Sequence, residues 1–346
     1  MKKKRHPMNG WFKALSAVLI LLGCAKQEVG NSSPAASKEI KGISYESPSS
    51  MVDAETFAGM PSINANYVAL IPFGFVRPDD PQVQFDLSWQ WWGERSVGIE
   101  TLTKYAHQKG LKVMIKPQVW IGGGGFTGTY QPSDEAGWQT LEQSYRQYII
   151  RFARLAEQQQ AEMFCVGTEF KAFMVARPAY WGRLIDSVRS VYSGKLTYAG
   201  NWDSYKQFPH WAKLDFIGID AYFPLSDSQT PSVTALRENW QGVKAEIKAM
   251  HMAYDKPVVF TEYGYRSVDY CAKTPWESGS AGAVNLQAQI NAYQAVYEEF
   301  WSEPWFEGGF LWKWHPYYDS AGGPDNNRFT PQNKPVEATI SEWYGK

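Results

Sequence analysis

From residue 40 onward the chain alternates short apolar runs with longer amphipathic ones. Runs rich in β-branched and aromatic residues fall at 42–45, 67–76, 112–119, 161–167, 196–199, 216–222, 257–261 and 309–312. Their near-continuous apolarity predicts strands buried on both faces. Between them, 97–109, 134–159, 177–191, 232–254, 285–301 and 335–343 carry helical periodicity. In the longest, Leu141, Tyr145, Tyr148, Ile149, Phe152 and Leu155 recur three or four residues apart, and Gly110 is a stop for the first. The helical signal is weakest at 50–60 and 205–213. Repeated strand–helix units imply parallel strands covered by helices, and eight of them predict a single α/β domain, a (β/α)8 TIM barrel. An open doubly wound sheet is the alternative, but no G-x-G-x-x-G follows the first run.

The first 40 residues have a different pattern. Lys2, Lys3, Lys4 and Arg5 precede an apolar stretch, 14–22, that is too short to span a bilayer and suits a signal-peptide core. It runs into Leu21-Leu22-Gly23-Cys24, which resembles the lipobox of bacterial lipoproteins, where the cysteine carries lipid. The expected organisation is a signal peptide at 1–23, lipidated Cys24 with a polar, small-residue tether to residue 40, and the barrel at 41–346. That places the protein in the bacterial cell envelope, held to a membrane through its lipid alone.

Charge and composition narrow the chemistry. The formal charge is −1, and loss of residues 1–23, with five Lys/Arg and no Asp/Glu, takes it to about −6. An acidic chain without a basic block argues against nucleic acid as partner. Cys165 lies in an apolar run, and a buried thiol is preferred to a bond with Cys271. The five histidines have no H-x-H or H-E-x-x-H spacing, so no metal is expected, and no organic cofactor. Gly122–Gly125 lacks the Lys-Ser/Thr of a phosphate loop. Sixteen tryptophans, twenty tyrosines and eighteen phenylalanines offer flat apolar faces suited to sugar rings.

Barrel active sites lie where the strands end. The fourth run ends as MFCVGTEF and the seventh as PVVFTEYGY, delivering Glu169 and Glu262. A carboxylate at the end of an apolar strand is costly without a task. A retaining glycosidase supplies one: one carboxyl protonates the leaving oxygen and the other attacks the anomeric carbon.

With these residues the chain resembles glycoside hydrolase clan A, and within it family 113, associated with β-1,4-mannanase activity. The likeness rests on WWGERSVGIETLTKYAHQKGLKVMIKPQVW, VGTEF, LDFIGIDAYFPL, VVFTEYGY and GGFLWKWHP, across residues 41–345. It implies Glu169 as acid/base, Glu262 as nucleophile, a β-linked oligo- or polysaccharide substrate and Tyr222 as a hydrogen-bond partner of the nucleophile. Two positions depart from the clan: Thr168 stands where most members have Asn, and Gln118 where related barrels often have histidine after the proline. Both bear on substrate more than on reaction.

Asn201 and Trp202, ending the fifth run, and Trp120, after the third, are further candidate sugar contacts. Of Trp312 and Trp314 one is expected to face inward as a sugar platform, and Trp314, nearer the mouth, is the one expected. His315 is a weaker candidate. Two other classes compete. A Schiff-base lyase would use Lys116 or Lys313 with a lowered pKa, and leaves the paired glutamates unexplained. A lipid-anchored glycan-binding protein on an inactive barrel would have lost a carboxylate, whereas both are present. A monomer is expected.

Overall fold

The computed structural model describes residues 38–279 and 281–346; the signal segment and Cys24 lie outside them. Eight parallel strands close into a barrel in chain order: β1 (Ile40–Tyr45), β2 (Tyr67–Leu70), β3 (Lys112–Ile115), β4 (Met163–Thr168), β5 (Lys195–Asn201), β6 (Ile217–Asp220), β7 (Val258–Tyr263) and β8 (Phe306–Trp314). This is the expected TIM barrel, and every expected strand is present. It begins slightly earlier than expected. Lys38, placed in the tether, is buried, with its ammonium on the carbonyls of Glu303 and Phe306.

The long helices form where the periodicity put them: Ser96–Gln108, Glu135–Gln158, Pro178–Arg189, Val233–Tyr254, Leu286–Phe300 and Val336–Tyr344. Three open on a side-chain cap, with Asp134, Ser232 and Asn285 accepting from the amides of Gly137, Ala235 and Ala288. Gly110 takes φ 76° just past the first, a conformation that favours glycine. Where the period was weakest, only short turns form, at Ala54–Phe57 and Gly59–Ser62 and at Tyr205–Gln207 and Trp211–Lys213.

Two expected strands are each split. The run at 67–76 yields β2 and a separate strand Phe73–Arg77, and that at 112–119 yields β3 and a strand Gln118–Ile121. Pro72 and Pro117 stand at the breaks, where a missing N–H interrupts a ladder. The released segments pair with each other, and with Asp80–Gln84, in a small three-stranded sheet beyond the ends of β2 and β3.

Inside the barrel the lower layers are apolar. Ile40, Tyr67, Met114, Met163, Val259 and Phe310 belong to a cluster separate from the main core, as expected of a packed barrel interior. Two residues beyond Met114 and two beyond Gly218, alternation brings Lys116 and Asp220 to the same inner surface, both fully buried. The plug therefore gives way to charge at the C-terminal end. Among the described residues no helix is long and apolar enough to cross a membrane.

Candidate active site

The mouth is shaped by breaks in strand regularity. In β7, Val259 lies in the barrel plug and Thr261 reaches Asp220. Strict alternation would turn Glu262 outward. The ladder to β6 shifts between Phe260 and Glu262, and Glu262 joins the mouth instead. On β4 the pairing with β5 shifts between Cys165 and Thr168, just before Glu169. Glu169 then adopts φ 58°, unusual for a residue with a Cβ; such a conformation costs about 1–3 kcal/mol and needs its surroundings to hold it. The Glu169 amide donates to the Ala199 carbonyl, and the next amide, of buried Phe170, donates to the Tyr198 hydroxyl. Both glutamates line one cavity of about 120 Å³ with Gln118, Thr127, Thr168 and Trp312.

Glu262 is buried, and three side chains donate to it. Lys116 Nζ (2.5 Å) and Gln118 Nε2 (2.7 Å) reach Oε1, and the Tyr222 hydroxyl reaches Oε2 at 2.8 Å. These three donors fix the plane of the carboxyl group. Lys116 also bonds Asp220 Oδ1 at 2.9 Å, which accepts from the Thr261 hydroxyl at 2.7 Å. One buried ammonium thus serves two carboxylates. Burial pushes the Asp220 carboxyl up against the pull of that ammonium. Burial works to lower the Lys116 pKa, but the charges of Asp220 and Glu262 outweigh it and raise it. An amine held in its charged form is the reverse of what a Schiff-base nucleophile needs. Lys313, the other candidate, is paired with Glu46.

Glu169 has the opposite environment. Burial, and then the negative charges of Asp220 and Glu262, hold its carboxyl well above the usual range, against Lys116. One carboxyl is met by three donors, and a second carboxyl at the same cavity is pushed towards its protonated form.

The aromatic candidates separate. Trp312 lines the cavity with the two glutamates, whereas Trp314 is 1% exposed and packs on Tyr318 and against Gly59. One indole of the two does face the site, but it is Trp312, not the expected Trp314. A regular strand puts residues two apart on one face. Here the ladder shifts, so that Trp312 and Trp314 pair with the consecutive residues Ser44 and Tyr45 and their side chains part. Trp202 is stacked on Trp276 with centroids 5.1 Å apart and has Phe223 at its edge, and Asn201 Oδ1 accepts from the Trp202 amide. Neither lines the cavity at the glutamates.

A second cavity of about 740 Å³ shares Gln118 and Trp312 with the first. The small sheet is one wall. Phe73 and Phe75 register with Gln118 and Trp120, and all four line it, with Trp120 58% exposed. Across from them lie Glu46, Lys313 and His315. Burial works to raise the Glu46 carboxyl, but the hydrogen bond from His315 and the Lys313 ammonium bring it down to about 2. Lys116 entered the sequence reading only as a Schiff-base candidate and Gln118 only as a departure from the clan, while Asp220 and Glu46 were not marked. For the first three the available signal was the polar residue at each strand end, read against the inward phase of β3 and β6.

Cleavage of a glycosidic bond calls for two carboxyls at one sugar, two carboxyls share one cavity at this barrel mouth, and the comparisons with known proteins show a glycoside hydrolase. The chain belongs to glycoside hydrolase family 113, whose family model matches residues 45–334. A GH113 β-1,4-mannanase structure is 28% identical, with a TM-score of 0.78, over 89% of this chain and 99% of that one. The β-mannanase of Alicyclobacillus acidocaldarius, solved in complex with ManMIm, is 25% identical, with a TM-score of 0.77, over 89% and 97%. The β-glucuronidase of Ruminococcus gnavus, 15% identical with a TM-score of 0.59 over 89% of this chain and half of its own, shares the fold. No curated protein matches the chain.

Proposed function

We propose that the protein hydrolyses β-1,4-mannan or glucomannan with retention of anomeric configuration, Glu262 acting as nucleophile and Glu169 as acid and then base. The observation that carries this reading is the contrast between the two carboxyls at one cavity: Glu262 accepting from Lys116, Gln118 and Tyr222, and Glu169 raised by burial and neighbouring charge. In the first step a Glu262 oxygen bonds to the anomeric carbon as the glycosidic bond breaks, and the Glu169 proton passes to the leaving oxygen. The Glu169 carboxylate then takes a proton from water, whose oxygen attacks the same carbon and releases Glu262. The mannan preference is supported by the β-1,4-mannanases among the similar structures.

The test is a panel of β-1,4-linked mannan, glucomannan, xylan and cellulose. Mannan and glucomannan should be cleaved at least tenfold faster than the others. Because Glu169 must be protonated in the free enzyme and its pKa is raised, kcat/KM should persist through the ordinary carboxylate range. It should fall only as pH rises through the raised value. With Glu169→Ala and a leaving group that needs no proton, that alkaline fall should disappear. Xylan or cellulose cleaved as fast as mannan would overturn the substrate assignment, and a fall centred near pH 4 would overturn the role of Glu169.

We further propose that residues 1–23 are removed and that Cys24 is lipidated, so that the barrel works at the bacterial cell envelope. This is supported by the basic, apolar and Leu-Leu-Gly-Cys pattern. Membrane fractionation checks it: the wild type should sediment with membranes and Cys24→Ser should not. Equal partition of both would exclude the anchor.

A further inference from the structure

Lys116 carries one charge, and a single carboxylate would balance it. A second carboxyl is nevertheless set against the same ammonium. Its N–H groups go to Glu262 Oε1 at 2.5 Å, Asp220 Oδ1 at 2.9 Å and the Thr261 carbonyl at 3.4 Å. Asp220 is fully buried, and its Oδ2 has no hydrogen-bond partner among the described residues. A buried carboxyl with one bare oxygen is unfavourable, so its place calls for a reason beyond packing.

The surroundings of Asp220 tie it to the neighbouring glutamate. After the ladder shift in β7, Asp220 pairs in register with Glu262. The Thr261 hydroxyl, one residue before Glu262, donates to Asp220 Oδ1 at 2.7 Å. Neither Lys116 nor Asp220 lines the cavity at the glutamates, so both reach the substrate only through Glu262. In the proposed first step Glu262 exchanges its negative charge for an ester bond, and an ammonium on Oε1 opposes that change. In the second, the Glu262 carboxylate leaves the anomeric carbon as water adds, and the same ammonium assists it.

We propose, resting on the role of Glu262 as nucleophile, that Asp220 is a positioning residue that shares the Lys116 ammonium with Glu262 and so balances the two steps. The carboxyl on β6 draws part of the ammonium's pull away from Glu262 during attack and leaves enough of it to help release. No proton leaves Lys116 in either step. Asp220 bears on the acid too. Burial, then Asp220, Glu262 and Asp203, hold the Glu169 carboxyl up, against Lys116. The nearby Tyr198 and Tyr222 hydroxyls are kept neutral, chiefly by burial.

The probes are 2,4-dinitrophenyl β-mannobioside, whose leaving group needs no proton, and β-1,4-mannohexaose. On the first, kcat/KM reports attack by Glu262, and kcat reports breakdown of the glycosyl-enzyme. Asp220→Asn keeps an oxygen for Lys116 and Thr261 but removes the charge. It should lower kcat/KM on the order of tenfold, the scale of one neighbouring charge on a buried carboxyl, with kcat unchanged or higher. Thr261→Val takes a donor from Asp220 and leaves the charge, and it should raise the ratio of kcat/KM to kcat. On mannohexaose the alkaline fall of kcat/KM should begin at lower pH in Asp220→Asn, because one charge that holds the Glu169 proton is gone. Equal falls of kcat and kcat/KM with the alkaline fall in place would show a merely structural Asp220 and overturn the proposal. No change in any of the three would overturn it too. If Asp220→Asn does not fold, Thr261→Val decides: a raised ratio supports the sharing, and an unchanged or lowered one overturns it. A wild type that inverts configuration, or turns over neither probe, would overturn the reading of Glu262 or of mannan, and the role of Asp220 with it.

Discussion

Replacing Glu262 with alanine should lower kcat at least about 10⁴-fold on any substrate, the scale of removing a covalent nucleophile from a preorganised site. The residue is buried and hydrogen-bonded by Lys116, Gln118 and Tyr222. No other carboxyl of the described residues shares its cavity except Glu169, whose carboxyl is pushed towards the protonated form chiefly by burial. Truncation leaves space where a small anion fits beside the Lys116 ammonium. Added azide should therefore restore turnover of an activated aryl glycoside and give a glycosyl azide of inverted configuration. Steady-state kinetics and product NMR check both. A loss below tenfold would mean that Glu262 is not the attacking group.

Lys116→Met should have the largest effect on stability. The ammonium is fully buried between Asp220 and Glu262, at 2.9 and 2.5 Å, and removing one partner of a buried ionic cluster costs about 3–5 kcal/mol. In a domain of this size that is a fall in Tm on the order of 10 °C. Asp220 is the orphan, since its Oδ2 already has no hydrogen-bond partner and burial already raises its pKa. Adding Asp220→Asn should thus recover part of the lost stability, a coupling that a double-mutant cycle reads directly. Activity should not recover with it, because Glu262 Oε1 still lacks the Lys116 donor. Additive losses of stability would show that the three charges do not act as a unit.

The contrast between what the sequence revealed and what it concealed has a physical pattern. Strands buried on both faces announce themselves by apolar density, and the long helices by their period and caps; every one of these elements formed. The two glutamates were visible because a carboxylate at the end of an apolar strand is conspicuous. What was hidden depends on irregularity. The shift in β8 that exposes Trp312 and buries Trp314 leaves no trace in composition. The prolines at 72 and 117 were visible, but that the freed segments pair and build a wall of the larger cavity is a long-range event. Lys116 read as an isolated candidate amine and Asp220 went unmarked, and only closure of the barrel brings β3 and β6 residues onto one another. Trp202 looked free at its strand end, and its stacking partner, Trp276, is 74 positions further along the chain.

The most direct test of the double displacement is the configuration of the first product. NMR of mannohexaose during hydrolysis, recorded faster than mutarotation, resolves the new reducing end as it appears. Attack by Glu262 opposite the leaving oxygen, followed by water on the face that oxygen left, predicts the β-anomer first, with the α-anomer growing in later. The α-anomer appearing first would show a single displacement, and would contradict the assignment of Glu262 as nucleophile.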